Sequence, residues 1–143
     1  MWQRSQTLYL AIATALLAAM FFCTKASRLD EFGIPVDYSF ISYWPYLVLL
    51  ILVTALNLLA LCTFRIRVFQ LRTTLLSAIL TLALQGWLAV DFFASQADGF
   101  VFGIPAVFPI VAVIFDILAI RGIWADELIV RNSARLRSAR RKR

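Results

Sequence analysis

The sequence contains no histidine. The side chain that most often serves as general base and metal ligand is therefore missing. Cysteine is scarce: Cys23 and Cys62 both stand in apolar runs. Placed at opposite faces of a membrane they are too far apart to be bridged, and two thiols without histidine make no metal site. Both read as packing residues. There is no glycine-rich phosphate loop, no nucleophile beside a base and no carboxylate pair on one face. Catalysis is accordingly not expected, and neither is a cofactor or a bound metal. Charge is thin as well, at 15% of residues against about 25% in ordinary globular domains.

What fills the chain instead is apolar: 62% of its 143 residues are hydrophobic. A water-soluble domain of this size leaves too much surface in solvent to hide that much hydrocarbon. A bilayer removes the difficulty. Four apolar stretches stand out, at about 6–23, 43–64, 73–93 and 104–124. Each approaches or exceeds the roughly 20 residues that cross a hydrocarbon core about 30 Å thick. Strands within these runs are excluded, because an open sheet would leave its edge groups unpaired in lipid. The expectation is an all-α membrane protein: four transmembrane helices over residues 1–124 and a short basic helix in the tail, 125–143. The first run has the basic flank of a secretory leader (Arg4), but Phe21-Phe22-Cys23-Thr24 is too bulky for a cleavage site, so it reads as a retained helix.

Orientation is read from the loops. Of 14 Lys and Arg, only Lys25 and Arg28 fall on one side, with Asp30, Glu31, Asp37 and Asp98. Arg4, Arg65, Arg67, Arg72, Arg121 and the tail fall on the other, which the positive-inside rule makes cytoplasmic. Trp2 and Trp124 on the inner side, and Tyr43, Trp44 and Tyr46 on the outer, suit interfacial belts. Residues 65–72 read as a tight basic turn, 24–42 as a longer outer loop and 94–103 as a shorter one. Short connections favour antiparallel neighbours, hence an up-down bundle with both termini inside. Phe32-Gly33-Ile34-Pro35 recurs as Phe102-Gly103-Ile104-Pro105. The repeat suggests either a duplicated helical hairpin or merely a loop motif that suits entry into a helix.

The two ends resemble a known family. Met1-Trp2-Gln3-Arg4-Ser5-Gln6-Thr7-Leu8-Tyr9-Leu10 is similar to the opening Met-Ile-Gln-Arg-Ile-Gln-x-Leu-Tyr-Leu of the bacterial membrane family known as domain of unknown function 4293. The segment from Arg121 through Asp126-Glu127-Leu128-Ile129-Val130-Arg131 to Arg135-Leu136-Arg137 resembles its close. There an Arg precedes Asp-Glu-x-Leu-Val-Arg-Ser and Arg-Leu-Arg. The stretch Phe64 to Arg72 is similar to the family's middle basic turn. Trp2 replaces the usual Ile, and Ala125 stands where a basic residue is common. The resemblance implies four inner-membrane helices of a Gram-negative bacterium, and it implies no activity.

Polar groups inside the spans are the leads to function, because each is costly in lipid unless paired. Asp116 lies about 12 Å from the inner end of the fourth span, at 1.5 Å per residue. Thr14, Asn57 and Thr81 fall at a similar depth on the other spans, with Gln85 one turn further out. If they face inward they form a polar layer. One reading of that layer is a proton or ion relay at Asp116. Another is interhelical hydrogen bonding that fixes register, and a third is pairing of Asp116 with a cation on a partner. Asp91 reads as an interfacial residue reaching headgroup water. Lys25, Arg28, Asp30, Glu31 and Asp37 read as groups that solvate a loop. Arg121 reads as snorkelling toward the inner interface.

In the tail, Glu127 and Arg131 are spaced for an i, i+4 ion pair. Leu128, Ile129 and Leu136 form a thin apolar stripe. Arg121, Asp126, Glu127, Arg131, Arg135, Arg137, Arg140, Arg141, Lys142 and Arg143 are the candidate contacts to a partner or to anionic lipid. The same charges also serve simply to hold the C-terminus inside. Ribosome or RNA contact is a weaker expectation, because the tail has no aromatic residue to stack on bases. The first functional expectation is a non-enzymatic accessory, structural or assembly subunit of a larger inner-membrane complex, such as export or respiratory machinery. Lipids and other integral membrane proteins would be its partners. The alternative is a small oligomeric ion or proton transporter or channel using Asp116. An enzyme acting on lipids ranks last, for want of a base and nucleophile.

Overall fold

The structure is a computed structural model that describes residues 2–141, with side chains described from residue 5 to residue 137. Four long helices carry the fold: α1 (Trp2–Ala19), α2 (Trp44–Cys62), α3 (Arg67–Ser95) and α4 (Phe108–Arg141). All four are long and apolar enough to cross a membrane, so the fold is that of a four-helix membrane protein. Each helix packs on the next, and α1 closes the ring against α4. Gln6 near the start of α1 reaches Asp126 just past the middle of α4, while Lys25 just beyond α1 reaches Asp91 late in α3. The helices therefore alternate in direction. Both described ends of the chain lie at the end of the bundle that holds the α2–α3 turn; that end is called here the basic end.

The bundle is ordered inside out relative to a water-soluble one. Leu58, Leu75, Ile79, Leu82 and Ile114 point outward, whereas Asn57, Thr74, Ser77, Thr81 and Asp116 have no exposed surface. Lipid is a good solvent for leucine and a poor one for amides and hydroxyls, so this sorting is what a hydrocarbon surround selects. On α3 the buried stripe is Gln70, Thr73, Thr74, Ser77, Ala78 and Thr81. Its small side chains let neighbouring helices approach closely. Toward the other end an apolar core takes over, with Leu17, Met20, Phe40, Tyr46, Leu50, Leu84 and Leu88.

Three boundaries differ from expectation. Residues 65–72 are mostly helix: the turn is confined to about 63–66 and α3 begins at Arg67. Arg, Gln and Leu favour helix, and a helix satisfies its own backbone as it leaves the lipid. The tail is not a separate short helix but the uninterrupted continuation of α4. The fold also contains a sheet, which the all-α reading omits. Strands β1 (Thr24–Leu29), β2 (Pro35–Ser39) and β3 (Val101–Phe102) pair antiparallel in the order β2-β1-β3. The expected outer loops are thus one cap across the end of the bundle opposite the termini, here the sheet end. This does not breach the exclusion of strands from the spans, because all three lie in the connections.

The repeated Phe-Gly-Ile-Pro string takes two different shapes. Gly33 turns the β1–β2 hairpin at φ +73°, a left-handed conformation natural to glycine. Gly103 has φ −80° and joins β3 to the 3-10 turn that precedes α4, donating its amide to the Lys25 carbonyl at 3.0 Å. The two strings therefore do different structural work. Cys23 and Cys62 are free, one at the sheet end and one toward the basic end.

Candidate functional site

Two polar centres lie in the bundle. The first contains the expected interior layer, but only part of it meets. Asn57 of α2 donates from Nδ2 to Oδ2 of Asp116 on α4 at 3.4 Å, and both residues are fully buried. Thr14 and Thr81 instead turn back onto their own helices, donating to the carbonyls of Leu10 and Ser77 at 2.7 Å. Such back-bonding is the usual way a helix disposes of a hydroxyl in an apolar setting. Gln85 is partly buried and lines the groove between α3 and the start of α4, and its Oε1 is buried without a hydrogen-bond partner. Asn57 Oδ1, Ser77 Oγ and Asp116 Oδ1 are buried without a hydrogen-bond partner. An interior that leaves four such atoms unpaired has polar capacity to spare.

The second centre is at the sheet end, and reading the residues singly missed it. Lys25 on β1 forms an ion pair with Asp91, about one turn from the end of α3. Tyr46 in the first turn of α2 donates its hydroxyl to the same Asp91 oxygen at 3.2 Å. The Lys25 ammonium also lies 4.5 Å from the centre of the Tyr46 ring and 5.7 Å from that of Phe102. Asp91 is thus not reaching for headgroup water, and Lys25 is not merely solvating a loop: their side chains are only 30% and 16% exposed. A carboxylate in an apolar span needs a partner, and that rule was the available signal. The partner lies far away in sequence on a strand that periodicity does not reveal.

Around this pair is a cavity of about 450 Å³. Tyr43, Tyr46 and Trp87 form one continuous aromatic wall, with ring centres 5.7 and 5.4 Å apart. Tyr38 and Phe100, 5.3 Å apart, and Phe102 face it from the cap. Ser39, Ser42 and Ser95 add hydroxyls to the lining. The size falls within the range of small-molecule sites.

The sequence pattern described as Domain of unknown function (DUF4293) matches residues 2–136. The chain belongs to the DUF4293 family. No curated protein and no solved structure matches it.

At the basic end of this DUF4293 chain, Asp126 accepts a hydrogen bond from Gln6 Nε2 at 2.8 Å. It thereby clamps α1 to α4 instead of facing outward. Gly122 makes room for that clamp, since a Cβ there would come within 2.8 Å of Gln6 Cγ. Glu127 and Arg131 form the i, i+4 pair at 3.0 Å. Arg121, Arg131, Arg135 and Arg137 are exposed. The side chains of Arg140 and Arg141, and Lys142 and Arg143 altogether, lie outside the described residues.

Proposed function

We propose that this protein is a non-enzymatic accessory or assembly subunit of a larger complex in the bacterial inner membrane. The basic end would lie in the cytoplasm, and the tail would serve as the docking element. One observation carries the reading. Residues 128–137 are all exposed although they continue a helix that is packed further up. At 1.5 Å per residue, the 34 residues of α4 extend about 50 Å, well beyond a hydrocarbon core of about 30 Å. An unbroken extension of a spanning helix points away from the bilayer rather than lying along its headgroups. Leu128, Ile129 and Leu136 fall within about 100° of each other around that helix, and they are 46%, 64% and 73% exposed. An apolar stripe held in water and flanked by arginines fits helix-in-groove docking to a protein partner.

The test is mild detergent extraction of the tagged full-length protein, followed by size analysis and mass spectrometry, beside a Leu128→Glu/Ile129→Glu variant. The expected result is a heteromeric complex with an integral membrane protein that the variant loses. Recovery of the chain alone, or a complex indifferent to the substitutions, would overturn the reading.

The unpaired oxygens around Asn57 and Asp116 favour a second reading, a small oligomeric ion or proton transporter or channel. Ion flux into proteoliposomes that disappears in Asp116→Asn supports it. Equal flux in both proteins, or none in either, removes it.

A further inference from the structure

We infer that the sheet-end cavity is a binding site for the headgroup of a zwitterionic phospholipid bearing a primary amine, taken from the leaflet at that end. Three observations converge on this class of ligand. The first is depth. The cavity extends from Trp87 to the strands, and Trp87 lies eight residues before the last residue of α3, or about 12 Å along it. That range covers the edge of the hydrocarbon and the headgroup layer, where a molecule with a polar head and an apolar stem is at home.

The second is charge. Lys25 and Asp91 both line the cavity, and together they carry no net charge. A purely anionic head brought to Lys25 would also meet the Asp91 carboxylate. A purely cationic one brought to Asp91 would meet the Lys25 ammonium. A head with phosphate and ammonium a few ångströms apart presents each charge to its opposite, so the site discriminates by repulsion as well as attraction. A primary ammonium can also donate hydrogen bonds to Asp91, which a quaternary one cannot.

The third is the lining. Aromatic faces already hold one ammonium, that of Lys25 over Tyr46 and Phe102, and Tyr43, Trp87 and Phe100 in the same lining offer further faces of the kind that attract a cation. Ser39, Ser42 and Ser95 provide hydroxyls for phosphate oxygens. Trp87 faces the apolar stem, and it is 44% exposed, which leaves a way in from the lipid.

The experiment is native mass spectrometry of the full chain in detergent. The protein is titrated with phosphatidylethanolamine, phosphatidylcholine and phosphatidylglycerol of identical acyl chains. One phosphatidylethanolamine should be retained per chain about tenfold more strongly than either other lipid, a difference of about 1.4 kcal/mol. Asp91→Asn should abolish the preference. Ser95→Leu narrows the cavity while keeping both members of the ion pair, and it decides the matter if the Asp91 variant does not fold; it should lower phosphatidylethanolamine retention about fivefold with helical content unchanged. Equal retention of the three lipids, preference for either of the others, or unchanged binding by the folded Ser95→Leu protein overturns the assignment.

Discussion

Asn57 and Asp116 show how much can rest on one long hydrogen bond between two buried groups. Their 3.4 Å contact is a polar link between α2 and α4, helices that otherwise sit diagonally across the ring. Asp116→Asn preserves an acceptor for Asn57 Nδ2 and should change stability by less than about 0.5 kcal/mol, near the average for interhelical polar contacts. Asp116→Leu removes every partner of a fully buried amide and should cost about 1–2 kcal/mol. The double change Asn57→Leu/Asp116→Leu should recover most of that loss, because neither position then leaves a polar group unpaired. Detergent-driven unfolding of the purified protein measures all three, and additive losses in the double variant would contradict the account. The Gln6 clamp yields a similar cycle. Gly122→Ala forces Gln6 aside and weakens its bond to Asp126, so it should destabilise by about 1 kcal/mol. In a Gln6→Ala background the same substitution should be neutral or mildly stabilising, since the three side-chain atoms that a methyl group would press on are gone and alanine is the better helix former.

The cap of three strands is a small element with few residues to hold it. Its attachments are the Lys25 ion pair, the Gly103 amide bonded to the Lys25 carbonyl, and aromatic contacts such as Phe92 with Phe102. Lys25→Met removes the first and leaves the Asp91 carboxylate with only Tyr46, at a cost of about 1–3 kcal/mol for so poorly exposed a pair. The loss should be local. Hydrogen exchange should quicken across residues 24–39 and 100–103, while the middle of α2 and α3 stays protected. Uniform acceleration would mean that the cap and the bundle open together. This element also marks the limit of what the chain reveals by pattern. Spans of about 20 apolar residues announce themselves because lipid demands them. Thr24–Leu29 shows no sustained alternation and Val36–Phe40 alternates for only five residues, and the pairing that makes these segments strands is supplied by each other and by Val101–Phe102. Gly33 before Pro35 was a readable turn signal, but the third strand was not, because two residues carry no period. For the same reason the Asn57–Asp116 contact could be anticipated from depth alone, whereas Lys25 and Asp91 could not.

On the scale of the whole molecule, the two ends are chemically unlike, and that difference fixes how the chain should sit in a membrane. Arg65, Arg67, Arg72, Arg121 and the arginines of the tail gather with the termini, whereas the sheet end carries Lys25 and Arg28 against Asp30, Glu31, Asp37, Asp91 and Asp98. Translocating the basic end would require moving most of the chain's positive charge across the bilayer, so retention of that end in the cytoplasm is the expected outcome. Both native cysteines lie close to span ends, so replacing them with serine clears the background for single reporters. Asp98→Cys places a thiol on the exposed turn beside the cap, and Ser133→Cys places one on the exposed tail. In intact spheroplasts a membrane-impermeant maleimide should label the first and spare the second. After inversion of the membrane the pattern should exchange. Labelling of the tail from outside would reverse the orientation, and with it both the cytoplasmic docking assigned to α4 and the leaflet that faces the Lys25–Asp91 cavity. The four-helix packing would stand either way, since it depends on which faces meet one another and not on which compartment each end enters.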